Sequence, residues 1–338
     1  MVPAAILPRH DVAASQRTIL ELIGHVLESA FEVVGEGVLL GTLPPYLERF
    51  GARNAEYVRR HHVRCDPASG AVAALTPMNF VSRTLGSPFT MEEARKDRAV
   101  KRLTTCEFAP AFAGRSDFAK AMMCQIHRAS YQGSVDGLLA DPKRDGYDVT
   151  LHSRILFGAS ACDFEVSSRA SRPDTPDHEG EVVRPVAPDE VARDVHTFYT
   201  AILVSLVQYL GSVLPHATVQ AILHAAALEV GAKLARIDPQ PGASAQETVE
   251  RLLAIGGRDV LPMAGGAEVR GCPYAHTIQA MAKGASEAAA QARASACLLC
   301  VGTLRGALQA AGHGTDVELA SCLTSGDAAC RFRLEASP

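Results

Sequence analysis

Nine cysteines occur in the 338 residues, and five of them, Cys272, Cys297, Cys300, Cys322 and Cys330, fall within 59 residues of the second half. Cys297 and Cys300 stand one helical turn apart in an alanine-rich, proline-free stretch from about Thr277 to Ala311, which predicts a long helix presenting both thiols on one face. Cys322 and Cys330 flank Ser325-Gly326-Asp327, a turn signal, so a hairpin is expected to bring them together. Four thiolates meeting from a helix and a hairpin are the donor set that selects zinc, and another divalent metal is open to the same ligands. The competing reading is that cysteine simply fills space between helix and sheet as a small apolar residue.

The first half carries Cys124 and His127, again one turn apart, followed by Cys162-Asp163-Phe164. The position matching Cys322 is Arg154, which cannot hold a metal, so a site here is open or is not a metal site. A thiol and an imidazole on one helix face can be ligands, or a thiolate nucleophile with its base, or core residues. Cys106 precedes Glu107, and Asp163 and Glu165 flank Phe164; any of these carboxylates can serve as a general acid or base if buried. His61-His62-Val-Arg-Cys65-Asp66 follows two arginines and reads as a solvated segment, and His25, His216 and His224 read as core or edge histidines.

The elements that position these residues are duplicated. Cys106-Glu-Phe108-Ala109 matches Cys272-Pro-Tyr274-Ala275, Cys124-x-x-His127 with Gly133 matches Cys297-x-x-Cys300 with Gly306, and Gly158-x-x-x-Cys162-x-Phe164 matches Gly326-x-x-x-Cys330-x-Phe332. Leu27 with Gly35 is paired with Leu223 and Gly231 as an earlier landmark. Period-two stretches at Val149–Phe157 and Val317–Leu323 predict strands after each helix. The fold class is therefore α+β, with two tandem, internally duplicated domains of helices packed on an antiparallel sheet. The domains are expected at 12–167 and 189–336, joined by a proline-rich linker at 168–188.

With 33 basic against 37 acidic residues the net charge is −4, which gives no positive field for nucleic acid. No apolar run reaches the roughly 20 residues of a membrane helix, and the first residues lack a signal-peptide pattern, so a cytoplasmic location with reduced thiols is expected. Phosphate loops, Gly-x-Ser-x-Gly elbows and His-Glu-x-x-His helices are missing, which removes the sequence support for nucleotide-driven chemistry and for the standard serine and zinc hydrolases.

From about Leu210 to Leu334 the chain resembles the 4-vinyl-reductase domain, a small-molecule-binding module, through Gly302-Thr-Leu-Arg-Gly306-Ala-Leu and Cys322-x7-Cys330-Arg-Phe332. That resemblance implies zinc on Cys297, Glu318, Cys322 and Cys330. Glu318 lies four residues before Cys322 instead of three, about 13 Å along a regular strand, so it needs a bulge to take part, and Cys300 or Cys272 is its substitute. Residues 20–168 look like the L-2-amino-thiazoline-4-carboxylic acid hydrolase family through Cys124 and Gly158-Ala-Ser-Ala-Cys162-Asp163-Phe164, which implies ring-opening hydrolysis.

Two readings follow. The first is a hydrolase of a small nitrogen- and sulfur-containing heterocycle or cyclic amidine, with Cys106, Cys124, His127, Cys162 and Asp163 around water activated by a metal. The alternative is a non-catalytic, zinc-containing carrier, sensor or assembly partner with an apolar ligand pocket. Both take a small-molecule partner, and close approach of the alanine-rich helices suggests a homodimer.

Overall fold

The structure is a computed structural model that describes residues 9–61, 63–64, 70–84, 87–137, 146–169, 182–183, 188–255, 258–272, 274–277 and 287–336. It is α+β, and its described residues group into two compact units, one from 35–195 and one from 1–34 together with 196–338.

In the unit of residues 35–195 the helices are α2 (Glu36–His61), α3 (Ala71–Thr84), α4 (Ala109–Phe112) and α5 (Asp117–Asp136). The strands β2 (Phe89–Ala94), β3 (Arg98–Leu103), β4 (Tyr147–Leu151) and β5 (Cys162–Ser168) form an antiparallel sheet ordered β2-β3-β5-β4. Alternation along β5 buries Cys162, Phe164 and Val166, the inward-facing set that period two requires. Helix α5 starts at Ser116, whose hydroxyl accepts the Ala119 N–H at 3.2 Å, and Asp117 complements the positive helix end. It packs on α2 backbone to backbone: a Cβ on Gly133 would sit 1.7 Å from the Glu48 carbonyl, and one on Gly51 2.3 Å from that of Ser130. A two-residue ribbon pairs β1 (Val63–Arg64) with β6 (Val182–Val183).

The other unit repeats this plan. Its helices are α1 (Arg9–Val34), α6 (Pro188–Val213), of which residues 196–213 belong here, α7 (His216–Ile237), α8 (Ala245–Ile255), α9 at residues 274–277 and α10 (Glu287–Ala310). The strands β7 (Asp259–Met263), β8 (Gly266–Gly271), β9 (Thr315–Ser321) and β10 (Cys330–Ala336) are ordered β7-β8-β10-β9, also antiparallel. A capping box starts α8, with Ser244 Oγ accepting the Glu247 N–H while Glu247 accepts the Ser244 N–H at 2.7 Å. Helices α7 and α10 touch through Gly231 and Gly306, whose added Cβ atoms would meet the Thr303 and Leu228 carbonyls at 2.0 Å. Helix α1 packs on α7 and α8, where buried Glu21 accepts from Lys233 Nζ at 2.6 Å.

Two expectations are corrected, and the compact units divide the chain differently from the expected domains. The counterpart of Gly231 is Gly51, because both sit where the paired helices cross; Gly35, with φ +84°, ends α1, and a Cβ added to it would meet nothing within 4 Å. Strands expected to reach Phe157 and Leu323 stop at Leu151 and Ser321, since Ile155–Phe157 and Leu323–Ser325 are 3₁₀ turns closed by Gly158 and Gly326 at φ +88° and +99°. The stretch 168–188 contains β6 and α1 groups with the second half, so the expected boundaries 12–167 and 189–336 differ from the compact units. An apolar stripe shows that a helix buries one face, but not which partner covers it.

Candidate functional site

In the unit containing α10, the helix face bearing Cys297 and Cys300 looks onto the turn between β9 and β10. Cys297 and Cys322 are joined as a disulfide with Cα atoms 7.1 Å apart, just beyond the 4.4–6.8 Å that disulfides usually span. Thr324 Oγ1 lies 3.0 Å from Cys297 Sγ and 2.9 Å from Cys322 Sγ, and Asp327 accepts the Cys322 N–H at 2.7 Å, fixing the turn. Cys330 opens β10, and its Sγ accepts the Leu323 N–H at 3.2 Å. Burial pushes its thiol up to about 11, with the Leu323 bond pulling the other way.

Arg258, just before β7, joins Cys272, Tyr274, Cys297, Cys300 and Cys330 around a small cleft. Its Nη2 donates to Cys300 Sγ at 3.0 Å and its Nη1 to the Leu253 carbonyl at 3.4 Å, while its guanidinium stands 5.0 Å from the Tyr274 ring centre. The residue keeps some solvent contact, but its Nε is enclosed and without a hydrogen-bond partner. Burial works against the guanidinium charge, and the neighbouring Cys300, Cys272 and Tyr274 outweigh it to hold the group protonated. Burial raises the Cys300 thiol, against the pull of the Arg258 charge.

The unit of 35–195 places Cys106, Cys124, His127, Arg154 and Cys162 at the equivalent positions. Ile155 N–H donates to Cys162 Sγ at 3.2 Å, repeating the Leu323–Cys330 bond. Burial lifts Cys106 to about 12 and Cys124 to about 11, and it raises Cys162 as well. His127 packs among Phe108, Tyr131 and Phe164 at centroid distances of 5.2, 5.2 and 4.9 Å. Burial, then the Lys101 charge, lowers it to about 3, so it is neutral. Glu107 accepts from Ser87 Oγ at 2.6 Å, and burial raises its carboxyl.

Two proposed site residues do not join these groups. The bulge that Glu318 needed is present, since the register shifts between Arg331 and Phe332, yet Glu318 is exposed and pairs with exposed Arg333 on the outer face of the sheet. Asp163 faces away from Cys162 and binds Arg102 Nε at 2.8 Å and Ser153 Oγ at 3.0 Å. The Arg102 hydrogen bond holds its carboxyl below the usual range against the opposing effect of burial, and Ser153 adds to the lowering. Cys65 and Asp66 lie outside the described residues. The Cys297–Cys322 bond replaces the expected pair of free thiols. Among the described residues, no three His, Cys, Asp or Glu side chains stand together as a metal-holding group.

The sequence reading missed three polar residues. Arg258 follows two glycines and precedes Asp259, which reads as a surface turn. Thr324 lies inside a turn. Lys101 alternates with apolar residues on β3, and this inward register was its available signal; its Nζ is fully buried and donates to Met78 O, Ser82 Oγ and Tyr131 OH at 3.1, 2.7 and 2.8 Å. No described helix is long and apolar enough to cross a membrane. Comparison of the chain with protein-family models, curated proteins and solved structures finds no match.

Proposed function

We propose that this protein binds a small molecule without transforming it, and that the sulfur-lined cleft of Arg258, Cys272, Tyr274, Cys297, Cys300 and Cys330 is part of its binding site. The observation carrying this reading is the partly buried Arg258 cation, which donates to Cys300 Sγ in a small cleft lined by free thiols, the Cys297 sulfur, Thr324, Val269 and the Tyr274 and Phe332 rings, a few fixed polar groups in apolar walls. The alternative, ring-opening hydrolysis at Cys106, Cys124, His127 and Cys162, draws little support from their chemistry. Those thiols are held protonated at neutral pH, the imidazole is neutral and packed among rings, and Asp163 is paired elsewhere.

Zinc does not fit the arrangement with Cys297 and Cys322 joined, because their bond leaves Cys330 without its partners. In the reduced chain Cys297, Cys322 and Cys330, with Cys300 or Cys272, are the thiols that would hold it, fastening hairpin to helix as the disulfide does.

The test is a thermal-shift screen of small apolar and aromatic compounds on the purified chain, with 2-aminothiazoline-4-carboxylate turnover assayed in wild type and Cys124→Ala. Ligands that raise Tm, with no turnover, support binding. Turnover that disappears in a folded Cys124→Ala variant overturns it in favour of hydrolysis.

A further inference from the structure

The Cys297–Cys322 bond ties α10 to the residue that precedes the 3₁₀ turn between β9 and β10. Its two ends differ in access. Cys322 is buried, whereas Cys297 keeps partial exposure, so a thiol arriving from solvent meets the α10 sulfur first. Thr324 Oγ1 stands 3.0 Å from Cys297 Sγ and 2.9 Å from Cys322 Sγ, within reach of both. Exchange at a disulfide releases one sulfur as a thiolate, and it runs faster when that leaving thiolate is stabilised. A hydroxyl placed against both sulfurs supplies a donor to whichever one departs.

The other thiols around the same cleft, Cys272, Cys300 and Cys330, are free. Attack on a disulfide requires a thiolate, and burial raises Cys300 and Cys330 above an ordinary cysteine. The fold thus withholds these two neighbours from the bond while placing a donor on it. In the unit of 35–195 the counterpart of Cys297, Cys124, is a free thiol, and Arg154 stands at the position of Cys322, so the same scaffold carries no such bond there.

We infer that Cys297–Cys322 is a reversible exchange site for low-molecular-weight thiols and disulfides, with Thr324 stabilising the departing thiolate. Opening starts when one thiolate of a dithiol attacks Cys297 Sγ. The S–S bond breaks, and its electron pair passes to Cys322 Sγ, which accepts the Thr324 hydrogen bond and then a proton from water. The dithiol's second thiolate attacks its own sulfur in the mixed disulfide, and Cys297 leaves and is protonated in turn. Two electrons and two protons have moved to the protein, and the dithiol departs as a cyclic disulfide. Oxidised glutathione reverses the change and leaves as two thiols. This activity goes beyond ligand binding and does not depend on it.

The test follows opening of the bond by dithiothreitol at pH 8 in the native full chain. Samples are quenched in acid, denatured and alkylated with N-ethylmaleimide, and peptide mass spectrometry reads Cys297 and Cys322. Complete opening without denaturant is expected, slower by about tenfold or more in Thr324→Val, as for the loss of one hydrogen bond to a charged group, and restored in Thr324→Ser. Oxidised glutathione should then return the same pair. The inference is overturned by a bond that opens only in denaturant, by a rate in Thr324→Val no lower than in wild type, by slowing that Thr324→Ser does not restore, or by reoxidation that joins Cys297 or Cys322 to another cysteine. Should Thr324→Val fail to fold, Thr324→Ala takes its place with the same expected outcomes.

Discussion

The backbone N–H of Leu323 donates to Cys330 Sγ at 3.2 Å, and Ile155 makes the same bond to Cys162 at the same length. In both units a 3₁₀ turn starts just after the first strand of the hairpin and aims an amide at the cysteine that opens the second. The matching Ser153–Ala161 and Ser321–Ala329 bonds, 2.9 and 2.8 Å, belong to the same repeat. Conserving this turn while exchanging Arg154 for Cys322 lets one scaffold carry two different side-chain sets.

Opening the Cys297–Cys322 disulfide is expected to destabilise the C-terminal unit. Closing a loop with a sequence separation of 25 residues stabilises by about 3–4 kcal/mol on the chain-entropy account. Reductant should therefore lower the Tm of wild type and leave that of Cys297→Ala/Cys322→Ala unchanged.

The free thiols are expected to be poor nucleophiles in the folded chain. With Cys124 and Cys330 at about 11 and Cys106 at about 12, alkylation by iodoacetamide at pH 8 should run about a hundredfold or more slower than for an ordinary cysteine. Peptide mass spectrometry before and after denaturation measures the difference.

Acid should weaken the unit of 35–195 through His127. Its pKa falls to about 3 in the folded chain, below an ordinary 6.5, so the unfolded chain binds a proton that the folded one refuses. The stability is complete above pH 6.5 and declines as pH drops towards 3, by about 2 kcal/mol at pH 5. Urea midpoints at pH 7 and pH 5 should differ in wild type and differ less in His127→Phe.

Gly133→Ala should be among the most damaging single-carbon changes. Its Cβ would sit 1.7 Å from the Glu48 carbonyl, a backbone atom that moves only if α2 and α5 separate. A loss of about 2–3 kcal/mol in urea unfolding is expected, against near-neutrality for Gly114→Ala, where nothing lies within 4 Å.

Lys101→Ala should cost about 3 kcal/mol, because removing the ammonium leaves Ser82, Tyr131 and the Met78 carbonyl short of a buried donor. Chemical denaturation should show the loss, and Lys101→Met should recover the packing part of it.

The repeat, the α+β class and the helix cysteines were legible because glycines at helix crossings and alternating strands leave periodic marks. Cys272, Cys297, Cys300 and Cys330 line one cleft because a three-residue helical spacing and a hairpin are local rules. Glu318 and Asp163 were misplaced for a reason equally local: strand alternation puts each on the face opposite its neighbouring buried residue, and the bulge near Ser321 did not reverse this for Glu318. Arg258 was invisible since its neighbours, the Leu253 carbonyl of α8, Cys300 of α10 and the Tyr274 ring, come together only in three dimensions, a long-range fact.

The α1 helix lies far from 196–338 along the chain yet packs with it, holding Glu21 against Lys233. A fragment cut at residue 189 would thus leave α7 and α8 without the helix that covers them, so production of this unit alone calls for residues 9–34 to be fused back or supplied as a peptide.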